Sequence, residues 1–184
     1  MGSKRAINLL RRGLKNPIKV TSQVKDFTYI TTAAGNHDLT GMSAGDHTIL
    51  INAAKADGTY IALPEATTSN GGMHIKVVFG IAVADDFAVG FTTTNIIGGA
   101  TAIGDTDEAN SPTDIGIAIA DVGDTFKSVR FNLDTVAAAG GTGGTVLDFF
   151  YPGAANVVLY RGDLISEIDD PTLTGHFVTT VVTS

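Results

Sequence analysis

The fold is decided by the stretch Met73-His74-Ile75-Lys76-Val77-Val78-Phe79. Its side chains alternate in character, with Met73, Ile75 and Val77 on one side of an extended chain and His74, Lys76 and Val78 on the other. The turn-forming run Asn70-Gly71-Gly72 precedes it. The pattern predicts a β-strand with one face turned towards a core.

Similar segments recur along the chain from residue 27 onwards, separated by Gly, Asn, Asp and Pro turn signals. The chain is rich in threonine and has 22 glycines, a composition that suits short strands and tight turns. No fixed-period repeat is visible. The predicted strands are 27–32, 48–53, 59–63, 73–79, 87–92, 115–120, 125–133, 145–151, 156–165 and 176–182. We therefore predict an all-β fold, an antiparallel β-sandwich or jelly roll, over residues 26–184.

Two stretches are predicted to be loops rather than strands. Residues 100–113 form the longest polar stretch, and residues 137–145 are glycine-rich. The run 140–145 resembles a phosphate-binding loop only in its glycines, because it lacks the lysine and is followed by a predicted strand rather than a helix. We interpret it as a hairpin connection.

Charge divides the chain at residue 26. Residues 1–25 hold seven of the 12 Lys and Arg residues and no acid, whereas the remainder holds five bases and all 19 acids. A basic N-terminal arm of residues 1–25 on an acidic body indicates docking onto a partner of opposite charge. A solvated tail remains the alternative.

Part of the arm has a helical pattern. Over residues 3–12, Ser3 is a suitable N-cap, Ile7 and Leu10 recur at helical spacing, and Gly13 can end the helix. So short a helix is marginal in water and needs a surface to lie on. An extended stretch follows Pro17.

Composition argues against several classes of protein. With no cysteine, the chain has no disulfide framework, thiolate nucleophile or cysteine-ligated zinc. No apolar run is long enough to cross a membrane, and the N-terminus is too poor in apolar residues for a secretory signal. Without an aromatic residue in the arm, and with an acidic body, nucleic-acid binding is not favoured either.

Catalytic patterns are also missing. His37, His47, His74 and His176 do not have metal-ligand spacing, and no serine lies in a nucleophile elbow. We predict no catalytic residue, no cofactor and no enzymatic activity.

Two weaker motifs remain. The acidic residues Asp105, Asp107, Glu108 and Asp114 are candidate calcium ligands, although their spacing departs from that of an EF-hand loop. The triplet Arg161-Gly162-Asp163 spells an integrin-type motif in a predicted strand-to-turn region, where chance occurrence is the simpler interpretation.

One part of the chain resembles a pattern in structural proteins of marine tailed phages. It consists of the segment Thr59-Tyr60-Ile61-Ala62-Leu63-Pro64-Glu65-Ala66-Thr67, a glycine turn and the alternating strand from Met73. Residues 126–131 and 156–162 are similar to the closing strands of such modules. The resemblance covers residues 46–166. It implies a jelly-roll capsid decoration (cement) protein, commonly trimeric, or a fibre-associated domain.

Our first hypothesis is therefore a virion protein on the capsid exterior that binds the major capsid protein and forms a homo-oligomer, expected to be a homotrimer. The residues expected to dock on the shell are Lys4, Arg5, Arg11, Arg12, Lys15 and Lys19. A second hypothesis is a receptor- or glycan-binding head of a tail fibre, with the ligand held by loops such as 100–113. A third, a jelly-roll hydrolase or cupin, is opposed by the missing metal-ligand spacing.

Overall fold

The computed structural model describes residues 26–56, 58–82, 87–97, 99–105, 115–120, 125–131, 143–166 and 176–179. They form thirteen strands and one short 3-10 helix, η1. The elements are β1 Asp26–Ile30, β2 His37–Asp38, β3 Asp46–Ile51, β4 Tyr60–Ala62, η1 Thr68–Asn70, β5 His74–Phe79, β6 Phe87–Gly90, β7 Asn95–Ile96, β8 Gly99–Asp105, β9 Ile115–Ala120, β10 Ser128–Phe131, β11 Val146–Phe150, β12 Val157–Ser166 and β13 Phe177–Val178.

The strands make two sheets, and the predicted all-β class is confirmed. The larger sheet has eight strands in the order β1-β3-β5-β11-β12-β8-β9, with β7 paired to β12. The smaller sheet has the order β13-β10-β6-β4-β2. The arm, including its predicted helix 3–12, lies outside the described residues.

The first half of the body is a coil rather than a set of hairpins. Successive strands alternate between the sheets, so that β1, β3 and β5 are parallel neighbours in the larger sheet and β2, β4 and β6 are parallel neighbours in the smaller one. The turns of the coil are unequal, because Asp26 pairs with His47 and His47 pairs with Ile75. Such unequal turns explain why no fixed period is visible in the sequence.

The prediction of an antiparallel sandwich is therefore wrong for this part of the chain. Of the eleven pairings between described strands, six are parallel. Alternation identifies a strand and its buried face but carries no information on the direction of its neighbour. Parallel neighbours need a crossover, and here each crossover passes through the opposite sheet.

The predicted loop 100–113 is also partly wrong. Residues 99–105 form β8, which pairs in parallel with β12 and antiparallel with β9. Small and polar residues such as Ala100 and Thr101 hid this strand, since they do not alternate clearly between apolar and polar character. The two-residue strands β2 and β7 were likewise not predicted, and residues 106–113 lie outside the described part.

The core lies between the two sheets and follows the predicted alternation. In β5, Ile75, Val77 and Phe79 are buried, while His74, Lys76 and Val78 are half-buried on the other side. Edge-to-face aromatic pairs join the sheets, with the ring centroids of Phe79 and Phe131 5.0 Å apart. Such pairs add about 1 kcal/mol each beyond burial of their area.

The smaller sheet depends on a close approach at Gly90, which pairs with Ser128 in β10. A Cβ at position 90 would overlap Ser128 and the carbonyl oxygen of Lys127. We expect Gly90→Ala to lower the free energy of unfolding by about 3 kcal/mol, because the clash is with backbone that cannot move alone. Urea denaturation measures the change.

Gly41→Ala is the matched control, since no atom lies within 4 Å of a Cβ built there. Its effect on the free energy of unfolding should stay within about 0.5 kcal/mol. Equal stability of the two variants would contradict the close approach of β6 and β10.

Candidate functional site

One side of the larger sheet points away from the smaller sheet. We call it the outer face and define it by the side chains that the register aligns there. These are Phe27, Tyr29, Thr48, Leu50, His74, Lys76, Val78, Val146, Asp148, Phe150, Leu159, Arg161 and Asp163. All of them are exposed or half-buried.

Exposed apolar side chains concentrate on this outer face. Five large hydrophobic residues are exposed in the described part of the chain, and all but Ile81 lie here. Phe27 and Tyr29 are 58% and 64% exposed, and their rings stack with centroids 6.5 Å apart. Phe150 and Leu159 pair across β11 and β12 and are about two-fifths exposed. Exposed apolar groups collected on one face indicate a surface for contact with another macromolecule.

A charged strip lies beside Phe150 and Leu159, in the same cross-strand row as Phe27. Lys76, Asp148 and Arg161 are aligned on neighbouring strands. Asp148 Oδ1 lies 2.8 Å from His74 Nε2 and 3.8 Å from Lys76 Nζ. The His74 ring stacks on Phe150 with centroids 4.4 Å apart. His74 therefore contacts both Asp148 of the charged strip and the exposed apolar residue Phe150. As predicted, His74 lies on the polar face of its strand.

The integrin-type triplet lies inside β12, within the predicted strand 156–165 and not in a strand-to-turn region. Arg161 Nη2 is 3.0 Å from Asp163 Oδ2, so the two charged side chains bind each other on the outer face. Gly162 is needed because a Cβ there would overlap the Tyr160 hydroxyl and Thr101 Oγ1. Packing therefore explains the glycine, and the triplet is paired on both sides, with β11 and with β8.

The residues predicted to dock on a shell, Lys4, Arg5, Arg11, Arg12, Lys15 and Lys19, lie outside the described residues. The structure does describe the point where the arm joins the body. Residue 26 begins β1, which is at the edge of the larger sheet among the described strands. The arm is therefore attached directly beside Phe27 and Tyr29.

The candidate calcium ligands are not brought together by described residues. Asp105 is the last residue of β8, and Asp107, Glu108 and Asp114 lie outside the described ranges. Within the described part of the chain, no three His, Asp or Glu residues are grouped closely enough to hold a metal ion.

A carboxylate that sequence analysis missed organises the connection between the sheets. Glu65 follows β4 and accepts hydrogen bonds from the backbone N–H groups of Thr92, Thr93 and Thr94, at 2.7, 3.0 and 2.6 Å. The hydroxyls of Thr93 and Thr94 donate to its Oε2 at 2.8 and 2.6 Å. Since 92–94 follow β6, this single carboxylate ties together the ends of two parallel neighbours. The run of three threonines was the available signal.

The same hydrogen bonds determine the charge of Glu65. Burial alone would raise the pKa of this carboxyl, but the bonds from Thr94 and Thr93 outweigh it and hold the pKa below its ordinary value. Tyr151 and Asn70 reinforce the junction, because the Tyr151 hydroxyl donates to the Pro64 carbonyl and Asn70 Nδ2 donates to the Glu65 carbonyl. The junction is therefore a structural clamp whose carboxylate is fully occupied.

A second buried polar cluster crosses the core at His176. Its Nδ1 donates to the Arg130 carbonyl, and its Nε2 lies 3.0 Å from Thr101 Oγ1 and 3.2 Å from the Tyr160 hydroxyl. Burial lowers the pKa of His176 to about 4, so the ring is neutral at physiological pH. The cluster links β8 and β12 of the larger sheet to the chain entering β13.

A buried ammonium holds the turn after β1. Lys55 is fully buried, and its Nζ donates to the carbonyls of Thr32 and Gly35 at 3.1 and 2.9 Å and to His37 Nε2 at 3.0 Å. Burial and the Lys55 charge lower the pKa of His37, which favours the neutral ring that can accept this bond. All three ammonium hydrogens thus have acceptors.

Comparisons with protein-family models, with curated proteins and with solved structures give no match for this chain. In the described residues there is also no helix with the length and apolar character needed to cross a membrane.

The Glu65 clamp predicts a large effect for a small change. We expect Glu65→Gln to lower the free energy of unfolding by about 3 kcal/mol, because an amide offers one acceptor oxygen where five donors converge. Urea denaturation at neutral pH measures it. Asp163→Asn is the control, since that exposed ion pair is worth at most about 1 kcal/mol. Similar losses in both variants would contradict the clamp.

The His176 cluster predicts a pH dependence of stability. The folded-state pKa lies below the unfolded value, so the unfolded chain binds a proton first as pH falls, and stability is lost from about pH 6.5 down to about pH 4. The expected loss is on the order of 3 kcal/mol. His37 adds a change of the same sign. His176→Gln should make the dependence shallower in urea titrations between these pH values, and an unchanged slope would contradict this assignment.

Proposed function

We propose that this protein is a capsid decoration protein that binds the shell of a phage through its basic N-terminal arm. The observation that supports the proposal most strongly is the attachment of a segment with seven bases and no acid to the edge of an acidic, two-sheet body. The proposed partner is the major capsid protein, and the proposed location is the exterior of the virion.

The positive charge of the arm is the basis for its proposed role in binding the shell. A cationic segment is drawn to acidic patches on a protein surface, and repeated weak contacts on a symmetric shell combine into strong binding. The proposed docking residues are Lys4, Arg5, Arg11, Arg12, Lys15 and Lys19. The acidic body disfavours nucleic acid as the partner.

The described body supports an interaction role. Other groups of the protein engage the buried polar side chains Lys55 and His176 and the half-buried Glu65. The outer face of the body, in contrast, carries exposed aromatic and charged side chains. The proposal does not require the jelly-roll form that the resemblance implies. It requires a compact body and a separate arm. A homotrimer is the proposed assembly.

The fibre-head alternative is less well supported by the same structure. It relied on residues 100–113 as a ligand-holding loop, and residues 100–105 belong to β8. We retain it as the outcome that glycan-array binding by residues 26–184 would favour.

Deletion of residues 1–20 tests the anchor. We expect co-sedimentation with empty capsids to weaken at least roughly tenfold, because six ion pairs of a few tenths of a kcal/mol each are lost. A full-length variant with glutamine at the six docking positions should weaken comparably, and wild-type binding should fall as salt rises. Undiminished binding of the deletion variant would refute the anchor.

A further inference from the structure

β1 has an edge that the described structure leaves uncovered. Among the described strands it pairs only with β3, so the backbone groups on its other side have no strand partner there. Edge strands in natural proteins are commonly protected by lysine, proline or a bulge. β1 reads Asp-Phe-Thr-Tyr-Ile, with its single charge at the first position. This edge is therefore suited to accept another strand.

The side chains beside this edge differ between its two faces. Thr28 and Ile30 point towards the core, where Ile30 is 2% exposed. Phe27 and Tyr29 point outwards and are the two most exposed large hydrophobic side chains of the described chain. An incoming strand must therefore present apolar groups on its inner side and groups that pack on aromatic rings on its outer side.

The chain itself carries such a segment immediately before β1. In residues 18–25, Ile18, Val20 and Val24 alternate with Lys19 and with Thr21, Gln23 and Lys25. One face of this segment would be largely apolar and the other polar with two lysines. Lysine stems can cover aromatic rings while the ammonium groups lie over the ring faces.

This segment is poorly placed to pair with β1 of its own chain. Residues 18–25 run directly into Asp26, and they contain no Gly, Pro, Asn or Asp to make the tight turn that a hairpin needs. The acceptor edge must then belong to a different molecule. A second copy offers the same edge together with an acidic body, which suits a segment from the basic arm.

We propose that residues 18–25 of one copy add as a strand to the β1 edge of another copy. The apolar face of the segment extends the core beside Ile30, and its lysine-bearing face packs over Phe27 and Tyr29. Each copy gives one segment and receives one, so two copies can exchange segments reciprocally, or the exchange runs head to tail and closes into a ring or grows into a filament. A homotrimer would be a ring of three such exchanges.

The inference goes beyond shell binding and does not require a shell. It leaves residues 1–17, with most of the docking bases, free to contact another partner. Because the test uses the isolated full-length protein, its failure is distinguishable from failure of the capsid-binding proposal.

The first experiment measures self-association by sedimentation of the full-length chain at micromolar concentrations. The wild type should form a concentration-dependent oligomer. Val20→Pro should weaken association by roughly a hundredfold, because proline removes a ladder hydrogen bond and is not tolerated inside a paired strand. Ala6→Pro, in the same arm but outside the segment, should leave association unchanged. A wild-type monomer, or equal effects of the two proline variants, would overturn the proposal.

The second experiment uses the absence of cysteine in the natural sequence. Tyr29→Cys on one chain is mixed with single-cysteine variants at positions 18 to 24 on a differently tagged chain, and disulfide-linked pairs are scored after mild oxidation. Cross-linking should follow a period of two, with Lys19→Cys, Thr21→Cys or Gln23→Cys favoured over Ile18→Cys and Val20→Cys. Cross-linking with no such periodicity, or none between copies, would reject strand addition at this edge.

Discussion

The carboxylate of Glu65 is the interaction on which the described architecture most depends. A coil that alternates between two sheets must cross from one to the other after every strand, and each crossing leaves backbone N–H groups without ladder partners. At the crossings after β4 and β6, one side chain satisfies three of these groups and two hydroxyls. The parallel neighbours β4 and β6 are thereby held in register at the ends where the chain leaves them.

The hydrogen bonds of His176 join the two sheets of the body. Tyr160 and Thr101 from the larger sheet meet His176, whose other nitrogen donates to the Arg130 carbonyl on β10. A buried histidine that is neutral and fully hydrogen-bonded costs little, whereas its protonated form would be buried without a counter-charge. The joining of the sheets and the response of stability to acid therefore have the same physical origin.

Local patterns in the sequence predicted the strands and their buried faces, but not their arrangement. The alternation in β5 and the position of Phe27 and Tyr29 on one face of β1 follow from side-chain period alone, whereas the exposure of that face does not. The parallel directions of β1, β3 and β5 could not be predicted, because a residue's own pattern does not depend on its neighbour's direction. β8 was missed because it has few large apolar residues and because one of its two partner strands, β12, is distant in sequence. Glu65 and His176 were missed as clamps because the partners of Glu65 begin 27 residues away and those of His176 lie between 16 and 75 residues away.

The hydrogen bonds of the described polar groups indicate which groups of the protein remain available to a partner. The polar atoms of Lys55, Glu65 and His176 are hydrogen-bonded to other groups of the protein. These side chains therefore stabilise the body and offer few free donors or acceptors to a ligand. In the described part of the chain, the one buried side-chain nitrogen without a hydrogen-bond partner is Nδ1 of His47, and it lies 3.9 Å from Asp26 at the start of β1. The uncovered backbone edge and the exposed aromatic pair belong to the same strand. Among the described residues, the backbone and side-chain groups without a partner thus lie where the arm begins, which is why we infer that the arm and this edge act together.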